Sequence, residues 1–211
     1  ALFDAEGIRQ SADHVLSHNT GPVLQYGATE GYGPLREQIS LFMAAKGGAG
    51  SASNASVAPE GLIVTTGSQQ ALDLIGKTMI NPGDKVIVEA PTFLATIQCF
   101  RLYGAHIIGA PVDAVGVDTD KLEALIVEHK PKLIYLIPTF SNPSGATLSL
   151  ARRKRVLELA VKYNTTVVED DPYGELFFDK APPPSLLALS AQVLGSREML
   201  AHCGSFSKIM S

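Results

Sequence analysis

Apolar residues along this chain switch repeatedly between helical spacing and the short continuous runs expected of buried strands. From Asp4 to His18, the positions Ile8, Ala12, Val15 and Leu16 share one stripe and predict a helix. Pro34 stands where a first-turn proline belongs, and Leu35, Ile39 and Phe42 follow at helical spacing. The stretch from Lys46 to Ser56 is small, polar and patternless, as a mobile loop or linker would be. The chain thus divides into an N-terminal helical arm (1–45), a flexible loop (46–58) and a main body (59–211).

From residue 62 the two patterns alternate. Leu62–Thr66 reads as a strand and Ser68–Ile80 as a helix carrying Leu72, Ile75 and Met79, with a turn at Asn81-Pro82-Gly83-Asp84. Lys85–Glu89, His106–Ala110, Lys132–Pro138 and Thr165–Glu169 read as further strands, and Met199–Cys203 as a weaker one. Helices are expected around Thr92–Tyr103 and over Leu150–Tyr163. Another follows a cap at Asp118, where Leu122, Leu125, Ile126 and His129 fall at i, i+3, i+4 and i+7. Short apolar strands alternating with amphipathic helices predict an α/β fold: a mostly parallel central sheet with helices on both faces.

Composition narrows the function classes. Hydrophobic residues are 45% of the 211 and charged residues 18%, enough apolar side chain for a sizeable core. A net charge of −4 lacks the footprint of a nucleic-acid binder. The 2 cysteines, Cys99 and Cys203, cannot build a disulfide scaffold or a four-ligand zinc site, so no metal is expected. No apolar run approaches the roughly 18 residues needed to span a bilayer. Ala1 to Arg9 lack a signal pattern, so a cytoplasmic protein is expected.

Ligands of open α/β sheets sit beyond the carboxyl ends of the strands, so the residues following each strand carry the chemistry. Those residues are Gly67-Ser68-Gln69 opening a helix, Pro91-Thr92-Phe93, Ser141-Asn142-Pro143-Ser144-Gly145, Asp170-Asp171-Pro172-Tyr173, and Ser205-Phe206-Ser207-Lys208. They supply helix-start amides suited to a phosphate, an aromatic ring, an amide, a carboxylate with a phenol, and an amine. Each alone has an ordinary structural explanation: a helix cap, a core aromatic, a turn, a solvated surface group. Their gathering at one sheet edge is what points to a site.

The ordered strings Gly67-Ser-Gln-Gln-Ala-Leu, Asn142-Pro-Ser-Gly, Glu169-Asp-Asp-Pro-Tyr173 and Gly204-Ser-Phe-Ser-Lys208 resemble the pyridoxal-phosphate enzymes of fold type I. More narrowly they resemble class I aminotransferases of the α-aminoadipate/kynurenine type. The resemblance implies pyridoxal 5'-phosphate as cofactor, with Lys208 holding it as an internal aldimine and then moving protons. It implies Asp170 against the pyridine nitrogen, and Asn142 and Tyr173 on the ring's phenolic oxygen. Gly67, Ser68, Gln69, Ser205 and Ser207 would bind the phosphate, and Phe93 would stack on the ring where relatives often carry tyrosine. The Asp-x-x-Tyr spacing selects Asp170 over Asp171. Tyr26 matches a tyrosine that reaches the neighbouring subunit's site, which implies a homodimer. The implied reaction transfers an amino group between an amino acid and a 2-oxo acid, with 2-oxoglutarate the expected acceptor.

Departures from the family pattern are also legible. Family chains are about twice this length by resemblance, and this one stops three residues after Lys208. The arginine expected shortly after that lysine, the C-terminal small domain and the arginine that grips the substrate α-carboxylate are expected to be absent. On that ground the 211 residues alone are expected to be inactive. The alternative reading is an aminotransferase-like effector-sensing domain of a bacterial transcription regulator. The basic run Arg152-Arg153-Lys154-Arg155 reads as a solvated helix face, and His14 with His18 as a surface pair.

Overall fold

Among the described residues, five of six strands run parallel, and the order in which they pair sets where a ligand can sit. The computed structural model of the protein describes residues 4–46 and 57–210; most of the loop expected over 46–58 lies outside them. β1 (Lys85–Ala90), β2 (His106–Asp113), β3 (Gly116–Val117), β4 (Leu133–Leu136), β5 (Thr166–Asp171) and β6 (Leu200–Gly204) form one sheet of order β3-β2-β1-β4-β5-β6. Of these six, β3 is the antiparallel one, paired with β2.

Helices cover both faces, as the alternation of side chains dictates. Val86, Val88, Leu133, Tyr135 and Val168 point to one face and pack with Leu72 of α3 (Ser68–Met79) and Cys99 and Phe100 of α4 (Leu94–Leu102). The intervening Ile87, Ile134, Leu136 and Val167 point to the other. There they meet Leu122 and Ile126 of α5 (Thr119–His129), Val156 and Leu157 of α6 (Leu150–Tyr163), and Leu186 of α7 (Leu186–Leu189). The period of two thus builds two cores from one set of strands. Local signals set the helix limits: Asp118 Oδ1 accepts the amides of Asp120 and Lys121, and Lys130 and Asn164 end α5 and α6 in the left-handed region at φ 48°.

Three sequence expectations need correction. Leu62–Thr66 is not a strand of the sheet. Val64 N–H donates instead to the Glu30 carbonyl at 2.8 Å, and Ile63 is exposed, so an apolar β-branched run here reflects propensity without a neighbouring strand. The first helix, α1 (Ala5–Leu24), continues past His18 across a break at Asn19 and buries none of its residues among the described ones. Its stripe of Ile8, Val15 and Leu16 stays exposed. The basic run of α6 is not wholly solvated, because Arg153 is fully buried. α2 (Gly33–Lys46) starts beside Pro34 as expected, and no helix among the described residues is long and apolar enough to cross a membrane.

Candidate active site

The carboxyl ends of β1, β4, β5 and β6 lie along one edge of the sheet, and four of the five chemistry-bearing segments leave from it. Asp170, on β5, is 4% exposed and shares its sheet face with Tyr135 of β4. The Tyr135 hydroxyl donates to Asp170 Oδ2 at 2.6 Å. Asp170 Oδ1 is buried and has no hydrogen-bond partner among the described residues. Burial raises the Asp170 carboxyl to about 6, opposed by the Tyr135 hydrogen bond and by His202 and reinforced by the neighbouring Asp171. Asp171 is differently occupied, since its Oδ1 accepts the Gly174 amide at 3.0 Å and shapes the turn that presents Tyr173.

Asn142 and Tyr173 line a single hollow with Phe140, Ser141, Gly145 and Leu176. The loop bearing Asn142 closes on itself through Ser141 N–H to Ala146 O at 2.9 Å. Two buried charged side chains hold it from beneath. Glu89, at the end of β1, accepts the Ile137 amide at 2.8 Å and the Ser141 hydroxyl at 3.4 Å, and burial raises its carboxyl to about 7 against those two bonds. Arg153 donates to the carbonyls of Leu148, Pro138 and Pro184 and to Thr139 Oγ1. One guanidinium therefore ties both ends of the Asn142 loop to the segment that follows Tyr173.

The fifth segment opens α3, which packs on the same sheet face as Tyr135 through Leu72. Gly67 has φ 115° and ψ 168°, which only glycine adopts without strain, and no side chain caps the helix. Gln70 turns back to accept from the amide and hydroxyl of Thr66, and the Gln70 and Ala71 amides donate to Gly67 O, so the backbone of Ser68 and Gln69 opens the helix. Phe93 precedes α4, half-buried against the core on the α3 and α4 side.

Ser205 to Lys208 form a tight turn after β6, with the Phe206 ring 5.9 Å from that of Phe42 on α2. Register carries this turn alongside β5: Asp170 pairs with Cys203 and Asp171 with Gly204. Lys208 is exposed on this turn. Tyr26 stands apart on the connection between α1 and α2, 99% exposed.

Sequence reasoning missed Tyr135, Glu89, Arg153 and the Glu169–His202 pair as supports of the site. One signal was available for Tyr135: a phenol inside the buried run Leu133-Ile-Tyr-Leu-Ile137 must find a partner for its hydroxyl. Nothing local marks which arginine of the basic run goes inward.

Similarity to known proteins places the chain in a family. Residues 4–211 match the family described as aminotransferase class I and II. The chain belongs to that aminotransferase family. The 2-aminoadipate transaminase of Thermus thermophilus is 39% identical over 210 residues, covering 100% of this chain and 49% of that protein. A solved α-aminoadipate aminotransferase from the same organism, complexed with N-(5'-phosphopyridoxyl)-L-leucine, superposes with a TM-score of 0.87 at 38% identity, over 99% of this chain and 50% of its own. The kynurenine aminotransferase of Pyrococcus horikoshii, solved with PMP, gives 0.86 at 39% identity, over 99% and 50%. This aminotransferase chain therefore spans about half the length of the curated relatives it matches. The matched region carries the mostly parallel sheet and the edge described above.

Proposed function

We propose that the protein catalyses pyridoxal-phosphate-dependent transfer of an amino group between an amino acid and a 2-oxo acid, with 2-oxoglutarate as the acceptor. The observation that carries this reading is the bare, buried oxygen of Asp170, a carboxylate acceptor on β5 three residues before the Tyr173 that lines a hollow with Asn142. A buried acceptor without a donor costs the fold free energy, and a protonated ring nitrogen supplies the missing donor. The residues present therefore fit the cofactor.

Residues 59–211 form the cofactor-binding domain on this reading, with 1–45 an arm. Asp170 Oδ1 accepts the ring N–H. Asn142 and Tyr173 hydrogen-bond the ring's phenolic oxygen from their shared hollow. The amides of Ser68 and Gln69, freed at the α3 start by the turn at Gly67, face the phosphate with the hydroxyls of Ser205 and Ser207. Phe93 covers a ring face. When bound, pyridoxal phosphate supplies the electron sink for a carbanion at the amino acid's Cα. Lys208 Nζ would hold the cofactor through its aldehyde carbon, with water as the leaving group, and would take up and return the proton of the amino acid's Cα. Tyr26, extended into solvent, serves the site of a second subunit in a homodimer. A cytoplasmic setting suits the two buried, unbridged thiols of Cys99 and Cys203.

The test is borohydride trapping of the full-length protein with pyridoxal phosphate, followed by peptide mass spectrometry. A pyridoxyl adduct on the Lys208 peptide, lost in Lys208→Ala, is expected. Adduct scattered over many lysines overturns the assignment. Specific capture at Lys208 without amino-group transfer to any 2-oxo acid favours the effector-sensing alternative.

A further inference from the structure

The contact between Tyr135 and Asp170 has more to it than packing. Tyr135 is fully buried, its ring edge-on to Phe100 with centroids 6.1 Å apart, and its hydroxyl is spent on one oxygen of Asp170 at 2.6 Å. A carboxylate's terminal torsion is soft, so a lone buried carboxylate has no fixed direction. Here one oxygen is taken and the other, Oδ1, is bare. We infer that Tyr135 is the positioning residue of Asp170: it holds the carboxylate ionised and turned so that Oδ1 alone faces the cofactor's ring nitrogen. This rests on the proposed pairing of Asp170 with that nitrogen.

Two features support the direction of the effect. Tyr135 and Asp170 lie on adjacent strands whose register pairs Tyr135 with Val168, which sets the phenol on the same face as Asp170 and two residues behind it. The phenol is also a durable donor, because burial first and then the Asp170 charge raise its proton affinity well above the ordinary tyrosine value. The other titratable groups facing Asp170 are Asp171 on its own strand and His202 and Cys203 on β6. Asp171 and Cys203 disfavour the ionised carboxylate, and His202, whose Nδ1 is held by Glu169 at 2.8 Å, favours it through its charge, a smaller effect than the Tyr135 hydrogen bond. Tyr135 is the group that touches Asp170 itself.

The test compares affinity for pyridoxal phosphate with affinity for its carbocyclic analogue, in which C–H replaces the ring nitrogen, in the full-length protein. The natural protein is expected to prefer pyridoxal phosphate, and Asp170→Asn to abolish that preference. Tyr135→Phe keeps the ring against Phe100 and is expected to cut the preference about tenfold, as loss of one hydrogen bond to a charged group does, while affinity for the analogue is unchanged. Added to Asp170→Asn, it is expected to change nothing further. If Asp170→Asn abolishes the preference but Tyr135→Phe leaves it, or weakens both ligands alike, Tyr135 is merely structural and the inference is wrong. If the natural protein shows no preference, or Asp170→Asn keeps it, the nitrogen pairing itself is wrong. Should Tyr135→Phe fail to fold, 3-fluorotyrosine at position 135 carries the test. Its more acidic hydroxyl is expected to move the acid limit of the preference to lower pH, and an unmoved limit overturns the inference.

Discussion

His202 donates from Nδ1 to the Glu169 carboxylate at 2.8 Å, directly across the β5–β6 pairing, and the same carboxylate accepts the amides of Leu186 and Leu187 that open α7. Asp170 and Glu169 are neighbours in sequence, yet the pleat sends them to opposite faces with opposite duties. Asp170 keeps an oxygen bare beside the Tyr135 face. Every described contact of Glu169 is structural, closing a helix onto the sheet.

Burial alone would raise the Glu169 carboxyl, but His202 and the two amides outweigh it and hold it below its ordinary 4.5. A carboxyl held low in the folded state contributes stability that is complete above about pH 4.5 and lost as the pH falls. Glu169→Gln is expected to cost about 3 kcal/mol at neutral pH, the scale for removing one member of a buried charge pair. Urea unfolding measured against pH checks this: the deficit relative to the natural protein must shrink below about pH 4.5.

Asp170 has the reverse sign. Its carboxyl is raised from 3.8 to about 6, so the folded protein without cofactor keeps a proton that the unfolded chain gives up, and stability falls as the pH rises through that window. Asp170→Asn is therefore expected to stabilise the cofactor-free protein at pH 7 by about 2–3 kcal/mol, from a shift of roughly two units. The gain vanishes below about pH 4, and binding of pyridoxal phosphate is weakened at every pH. Thermal unfolding with and without cofactor separates the two effects.

The five parallel strands and α4, α5 and α6 are legible because their periods are clean and their ends are marked, whereas the two-residue β3 and the four-residue α7 are too short to show a period. The Asp118 cap and the Asn81-Pro82-Gly83 turn act within a few residues of themselves. Four of the five chemistry-bearing segments are legible for the same reason, since each follows a strand of the sheet, whereas Gly67-Ser68-Gln69 follows the Leu62–Thr66 run, which is not one. What was hidden depends on partners far along the chain. Tyr135 meets Asp170 across 35 residues, Glu89 meets Ile137 across 48, and Arg153 meets Pro184 across 31. Leu62–Thr66 was misread for the complementary reason: a strand needs a neighbour, and local sequence reports only the readiness to pair.

Arg153 gives a sharp case of a substitution that is conservative on paper alone. Its guanidinium reaches four oxygens in different directions, which lysine's single ammonium cannot do. Arg153→Lys is expected to destabilise by about 3 kcal/mol, leaving buried carbonyls unmet and an ammonium poorly solvated. Because the same four bonds brace the Asn142 loop, hydrogen exchange of the Ile137 to Leu148 amides must accelerate well before the helices of the other face loosen. Uniform acceleration across the chain would show that Arg153 braces the whole domain and not this loop.

Gly67 separates backbone geometry from side-chain space. A Cβ built there meets nothing within 4 Å, so crowding is no obstacle, but φ of 115° is a conformation that alanine resists. Gly67→Ala is expected to cost about 1–3 kcal/mol if the turn is kept, and less if the turn relaxes toward negative φ. Relaxation would swing the Ser68 and Gln69 amides, which open α3 without a capping side chain, away from their present line. The two responses are told apart by ligands that differ only in phosphate. If the turn relaxes, affinity for pyridoxal phosphate falls toward that for pyridoxal, while pyridoxal itself binds as before. If the turn holds, stability falls and the phosphate's contribution survives. Loss of both affinities together would mean that Gly67 acts through the whole α3–β6 packing, and the helix start would no longer be credited with the phosphate.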